Sequence, residues 1–210
     1  MKRRIRKHMA SRLSRIPPEA AADKSRAACV ELVNLPEFAA AETVMIYLSI
    51  SAEPDTAAIA ETAWRKGKAV LVPKTTWERR HMEAVEIHSL TEGLLQTPIG
   101  LREPTSGAAT PPELIDLVLV PALVFDRQGN RLGRGAGFYD RFLARLSIRA
   151  TVCGLGFAEQ LVDDLPTDRH DYPMHMLVTD REVLRFRRRG RSIQEQQGLH
   201  GTEAVDVQES

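Results

Sequence analysis

The succession of an apolar run, a glycine loop and an amphipathic segment in residues 115–147 limits what this chain can fold into more than any other stretch. Ile115-Asp116-Leu117-Val118-Leu119-Val120 has the composition of a buried strand. Phe138, Phe142, Leu143 and Leu146 then recur on one helical face, which predicts a helix over 138–147. Between them lie residues 126–140, DRQGNRLGRGAGFYD, in which Gly133, Gly135 and Gly137 alternate with Arg134 and Ala136. Such a loop lets backbone amides approach a ligand with no Cβ in the way, and a helix start adds unpaired N–H groups. Arg127, Arg131, Arg134 and Arg141 in or beside it make an anion, a phosphate above all, the expected guest. The spacing is G-x-G-x-G with no Gly-Lys-Ser/Thr ending, so an ordinary P-loop or dinucleotide-binding fold is disfavoured. A tight connection that merely needs flexible residues accounts for the glycines on equal terms.

A chain of 210 residues can bury a sizeable core, and strands alternating with helical segments predict a three-layer α/β sandwich with a mainly parallel sheet in a single domain. The domain is expected over 1–186, with 187–210 too polar to fold and read as a disordered tail. The net charge of +1 gives no general attraction to nucleic acid or membrane. Cys29 and Cys153 show no C-x-x-C spacing, and no apolar run approaches a membrane span, so a cytoplasmic location is expected.

Taken in order, residues 2–15 predict a cationic helix with a thin stripe of Ile5, Met9 and Leu13 and with Lys2 and Arg6 on a shared face. Read by itself, that segment is a solvated basic helix. Residues 19–35 predict a second helix closed by Pro36, and 43–50 a buried strand. Glu53 then stands just past the strand's carboxyl end, where α/β sheets bind ligands, although a lone loop acid is more often only solvated. A helix is expected over 57–66 and strands over 68–73, 82–88, 150–157 and 174–179, with 91–113 as a long surface loop that could border a site at Glu103-Pro104. His170 and Asp171 are adjacent and would point to opposite faces of an extended chain, and Pro173 between His170 and His175 removes helical zinc spacing. The histidines are read as core or surface residues.

The stretch F-D-R-Q-G-N-R-L-G-R-G-A-G-F-Y-D at 125–140 resembles the 5-formyltetrahydrofolate cyclo-ligases, also called 5,10-methenyltetrahydrofolate synthetases. The similarity extends to K-R-R-I-R at the N-terminus, Y-L-S-I-S-A-E-P-D-T at 47–56, G-L-G-F-A-E-Q at 154–160 and L-P-T-D-R-H-D-Y-P-M at 165–174. It implies an ATP- and magnesium-dependent conversion of 5-formyltetrahydrofolate to 5,10-methenyltetrahydrofolate, with ADP and phosphate released.

By position, the resemblance assigns Lys2, Arg3, Arg4, Ile5 and Arg6, with Arg131, Leu132, Gly133, Arg134, Gly135, Ala136, Gly137, Phe138 and Tyr139, to ATP. Arg6, Leu48 and Glu53, with residues 134–138, would meet the folate, Arg134 and Lys2 would act catalytically, and Asp140 and Asp171 would hold magnesium. Ala136 stands where relatives carry lysine or glycine, and Phe138 where tyrosine is frequent. Substituting Asp140 or Arg134 by alanine is expected to abolish turnover with the fold intact. A monomer is expected. A diverged relative that binds nucleotide or folate without cyclising it is the alternative. A nucleic-acid-binding module using the terminal arginines is disfavoured by the near-zero charge and the 5% aromatic content.

Overall fold

Along the apolar runs of this chain, successive side chains enter two different cores, which is what a strand covered on both faces requires. The computed structural model describes residues 1–97, 100–146 and 150–187. Its helices are α1 (Lys2–Leu13), α2 (Pro18–Val33), α3 (Pro36–Ala40), α4 (Ala57–Arg65) and α5 (Phe138–Leu143). Its strands are β1 (Thr43–Met45), β2 (Ala69–Thr76), β3 (His81–Glu86), β4 (Leu94–Gln96), β5 (Arg102–Pro104), β6 (Ala109–Thr110), β7 (Leu117–Val120), β8 (Val124–Asp126), β9 (Arg131–Leu132), β10 (Thr151–Leu155), β11 (Leu161–Val162), β12 (Met176–Val178) and β13 (Val183–Arg185).

The main sheet is eight-stranded, in the order β13-β12-β10-β7-β1-β2-β3-β6. The run from β12 to β2 is parallel, and β13, β3 and β6 add antiparallel edges. Val44, Val70, Leu117, Cys153 and Met176 pack on one face with Ala28 and Leu32 of α2, Phe38 of α3 and Ile59 and Ala63 of α4. Met45, Leu71, Val118, Val152 and Leu177 pack on the other with Phe138, Phe142 and Leu143 of α5. Each fully buried Leu or Val there contributes about 2 kcal/mol relative to exposure. The expected α/β layering with a mainly parallel sheet is therefore the observed one.

Several boundaries differ from expectation. Residues 91–113 are not a structureless loop: β4 pairs with β5, β6 pairs with β3, and Pro112–Leu114 forms a 3-10 turn. Those strands are too short to show a period, and the partner of β6 lies outside the segment. Pro36 starts a helix instead of only ending one, because its fixed φ and missing N–H suit the first helical position of α3. The strand expected over 43–50 keeps ladder pairing only in Thr43–Met45, although Ile46, Tyr47 and Leu48 stay buried. The basic N-terminal helix is not simply solvated: Met9 and Leu13 are buried in a third cluster with Leu123, Val124, Leu132, Phe157 and Leu165. The tail expected over 187–210 lies, apart from Arg187, outside the described residues.

The glycine stretch is also reached differently. After β7 the chain makes an antiparallel hairpin, β8–β9, before entering the loop. Asp126 is spent on that hairpin: its carboxylate accepts the Gln128 and Asn130 backbone N–H groups at 2.9 and 2.8 Å and that of Leu165 at 3.1 Å. Gly129 closes the turn at φ 88°.

Candidate active site

From β1 the chain crosses to β2 on one side, and from β7 to β10 on the other, so the sheet reverses its winding between these neighbours. A crevice opens at the carboxyl ends of parallel strands at such a point. Here it is a cavity of about 1380 Å³. Tyr47, Leu48, Ile50 and Glu53 beyond β1, and Pro121 and Ala122 beyond β7, form its floor.

One wall is charged and comes from α1, the glycine loop and residues 167–171. Lys2 and Arg6, one helical turn apart, both reach it. Arg6 Nε donates to the Gly133 carbonyl at 2.8 Å. Gly135 (φ 113°) and Gly137 (φ 70°) adopt conformations that L side chains rarely take, so the alternation of glycines is a backbone requirement as well as an opening for a ligand. Helix α5 spans only six residues, shorter than expected, and residue 147 lies outside the described part. Its dipole is correspondingly small, and the positive potential of this wall comes mainly from side chains.

Those side chains are paired with acids. Lys2 Nζ lies 2.7 Å from both Asp168 Oδ2 and Asp171 Oδ2. Burial would lower the Lys2 pKa, but the two carboxylates outweigh it and hold the ammonium above its ordinary value. Arg131 is inside the protein, its side chain 4% exposed; Nη2 donates to Asp140 Oδ1 at 2.6 Å and Nη1 to the Tyr172 carbonyl at 2.5 Å. Burial pulls the Arg131 pKa down, against the opposing pull of Asp140. Arg134 Nη2 stands 3.3 Å from Glu53 Oε1, and Glu53 Oε2 accepts the Ile50 N–H. Burial raises the Glu53 pKa, and Arg134 works in the opposite direction. The Tyr139 hydroxyl is buried with no partner among the described residues; burial raises its pKa, and the nearby Glu53 charge adds to the effect.

A second wall is apolar. Pro73, Thr75, Trp77 and Met82 from β2, β3 and their connection face Leu101 and Glu103 around β5. Trp77 meets Phe138 edge to face, ring centroids 4.9 Å apart. The ring at position 138 is thus a packing element of the cavity, which a hydroxyl is not needed to supply.

The cavity brings together Lys2, Arg6, Leu48, Glu53, Asp140, Asp171 and residues 131–139. It does not receive Arg3 and Arg4, which point to solvent, or Ile5, which packs beneath α1 with the third cluster. The helical period turns only every fourth position inward. His170 and Asp171 both line the cavity, contrary to the extended-chain expectation, because a turn held by Asp171 N–H to the Asp168 carbonyl bends the segment. His175 accepts the Val152 N–H at Nδ1, a packing role. Asp168, Trp77 and Thr75 were not foreseen. Their signal is tertiary, since no local pattern distinguishes them from solvated residues.

Asp140 Oδ2 and Asp171 Oδ1 take no partner among the described residues, and no group of three acids, histidines or cysteines there could hold a metal. Two hard carboxylate oxygens fit a magnesium that keeps water and phosphate oxygens for its remaining positions.

The 5-formyltetrahydrofolate cyclo-ligase family model matches residues 1–180. A 5-formyltetrahydrofolate cyclo-ligase of Mycolicibacterium smegmatis is 36% identical over 151 residues, covering 69% of this chain and 77% of the relative. One from Escherichia coli K12 is 31% identical over 173 residues, covering 80% and 94%. The solution structure of Aquifex aeolicus 5,10-methenyltetrahydrofolate synthetase superposes with a TM-score of 0.78 at 31% identity, over 95% of this chain and 99% of that one.

Proposed function

Because the chain belongs to the 5-formyltetrahydrofolate cyclo-ligase family, we propose that its cavity carries out the ATP- and magnesium-dependent closure of 5-formyltetrahydrofolate to 5,10-methenyltetrahydrofolate. The observation that carries this reading is the adjacency, in one cavity at the sheet's switch point, of a polybasic glycine-loop wall and an aromatic wall. One suits a triphosphate and the other a flat bicycle.

A formyl amide is a weak electrophile with a poor leaving oxygen, so that oxygen has to be activated. The γ-phosphoryl group moves to the formyl oxygen and ADP leaves. N10 then attacks the formyl carbon and loses its proton. The carbon–oxygen bond breaks, phosphate departs with the former formyl oxygen, and the methenyl cation remains. The protein's work is positioning and charge neutralisation. Arg134 and Lys2 act on the transferring group, Arg6 and the loop amides of residues 131–139 hold the phosphates, and Leu48 and Glu53 border the folate. Buried Arg131 acts through Asp140, whose orientation it sets. Asp140 and Asp171 would hold magnesium, which supplies positive charge at the phosphate oxygens when bound.

The enzyme is read as a cytoplasmic monomer that engages neither nucleic acid nor membrane. The two buried free cysteines fit a reducing compartment, and the +1 net charge gives no general attraction to nucleic acid or anionic lipid. The test is ultraviolet absorbance of the methenyl product from 5-formyltetrahydrofolate. Product should accumulate only with ATP and magnesium together; folded protein that forms none with all three components refutes the reading.

A further inference from the structure

Most carboxylates lining the cavity are matched by a cation: Glu53 by Arg134, Asp140 by Arg131, Asp168 and Asp171 by Lys2. Glu103 is not, among the described residues. Its Oε1 accepts the Thr75 hydroxyl at 2.5 Å, and its Oε2 has no partner among the described residues. The neighbouring Arg102 also lines the cavity, but the hydrogen bond it makes is to the Leu90 carbonyl, at 3.3 Å, and it forms no ion pair with Glu103. Glu103 belongs to the apolar wall, with Trp77 and Met82. A half-buried carboxylate on such a wall, fixed by one neutral hydrogen bond and in no ion pair among the described residues, is open to donors from whatever fills the space.

We propose that Glu103, oriented by Thr75, is the residue that selects the pterin, accepting the ring N3–H and the 2-amino N–H of its aminopyrimidinone edge. This rests on the cyclo-ligase reading above. The two donors are adjacent and in plane, which matches the paired oxygens of a carboxylate, while both Glu53 oxygens are already engaged. The substrate's chemistry gives the match a catalytic consequence. N5 lies across the bicycle from the 2-amino group, so anchoring that edge at Glu103 directs the formyl group away from the apolar wall and toward the glycine loop. Binding energy at a remote edge then serves orientation at the reacting centre.

The experiment compares 5-formyltetrahydrofolate with its 2-desamino analogue, in which hydrogen replaces the amino group, on the parent enzyme, Glu103→Gln and Thr75→Val. Glutamine keeps the size and can still accept from Thr75, and melting temperatures check that each variant folds. The parent should favour the natural substrate by about thirtyfold in kcat/KM, the scale of a charge-assisted hydrogen bond. Glu103→Gln should lose more than that factor on the natural substrate, which donates from both N3–H and the 2-amino group, distinctly less on the analogue, which keeps only N3–H, and leave the KM for ATP unchanged. Thr75→Val should shift the same ratio by a smaller factor, and carries the comparison by itself if Glu103→Gln does not fold. Equal losses on both substrates, a parallel rise in the KM for ATP, or preserved discrimination in both variants would overturn the assignment. A parent enzyme that forms no methenyl product at all would instead refute the cyclo-ligase reading, and the Glu103 assignment with it.

Discussion

Arg134 and Glu53, 81 positions apart in sequence, meet at 3.3 Å in the cavity, the guanidinium half in solvent and the carboxylate inside. An exposed arginine contributes little to stability through such a pair. Its value is positional: it stands in the glycine loop, beside a carboxylate of the cavity floor.

Arg134→Ala should therefore lower kcat by about a hundredfold or more while leaving the melting temperature nearly unchanged below about pH 4, where Glu53 is protonated in both proteins. Glu53 gives a second readout. Its pKa is raised by burial despite Arg134, so the native state binds that proton more tightly than the unfolded chain. The associated stability is fully present below the unfolded value of about 4.3 and is lost as pH rises through the folded one. Without Arg134 the folded value climbs further, and stability should drop more steeply between pH 4 and neutrality. Urea titrations across that range test this; parallel curves for the two proteins would refute the coupling.

Asp140 is different, and the structure changes what its removal should do. Its carboxylate neutralises Arg131, whose side chain is 4% exposed. Asp140→Ala strands a buried cation and should cost about 3 kcal/mol in addition to abolishing turnover, so the fold does not escape untouched. Asp140→Asn keeps an acceptor for Arg131 and should recover much of the stability but not the magnesium-dependent rate. Urea midpoints alongside rates over a magnesium series separate the two roles.

A second ion-pair network anchors α2 away from the cavity. Lys24 Nζ lies 2.7 Å from Asp180 Oδ2 and 2.9 Å from Glu159 Oε1. Burial would raise the Asp180 pKa, but Lys24 and the Ala158 N–H override it and hold it below the ordinary range. That contribution exists above the unfolded value of about 3.9 and disappears as pH falls through the depressed one. Lys24→Met should cost about 3 kcal/mol at pH 7, and the gap to the parent should narrow below about pH 4. Guanidinium unfolding at both pH values provides the check, and a pH-independent gap would contradict the assignment.

Gly154 in β10 has no room for a methyl group: a Cβ there would meet Phe125 Cε1 at 2.6 Å and Leu177 Cδ1 at 3.1 Å. Gly154→Ala should destabilise by about 2 kcal/mol, and Phe125→Leu in that background should return part of the loss. A double-mutant cycle by thermal unfolding measures the coupling; strictly additive effects would show that the backbone, not the ring, absorbs the methyl.

Much of the architecture was legible in local pattern. The runs that became β7, β10 and β12 are continuously apolar because both faces of the sheet are covered, and the stripe of Ile5, Met9 and Leu13 on α1 is periodic because side-chain direction follows backbone dihedrals. The positive-φ glycines of the loop belong to the same class, since their need is written into φ itself. The same local rule placed Lys2 and Arg6 on one helical face. It could not say that the face would close a cavity, nor that Arg3, Arg4 and Ile5 would stay out of it.

Partner choice belonged to the tertiary structure. Lys2 finds Asp171 across 169 positions, Arg6 finds Gly133 across 127, and Thr75 finds Glu103 across 28, within a segment whose short strands have no readable period. Which charges become neutral pairs, and which carboxylate is left for a ligand, depends on the order of strands and the direction of each crossover. Sequence determined the elements because dihedral preferences and apolar periodicity act over a turn or a strand. The packed sheet decided the site because Coulomb and hydrogen-bond energies depend on distance in space, and only the complete fold sets those distances.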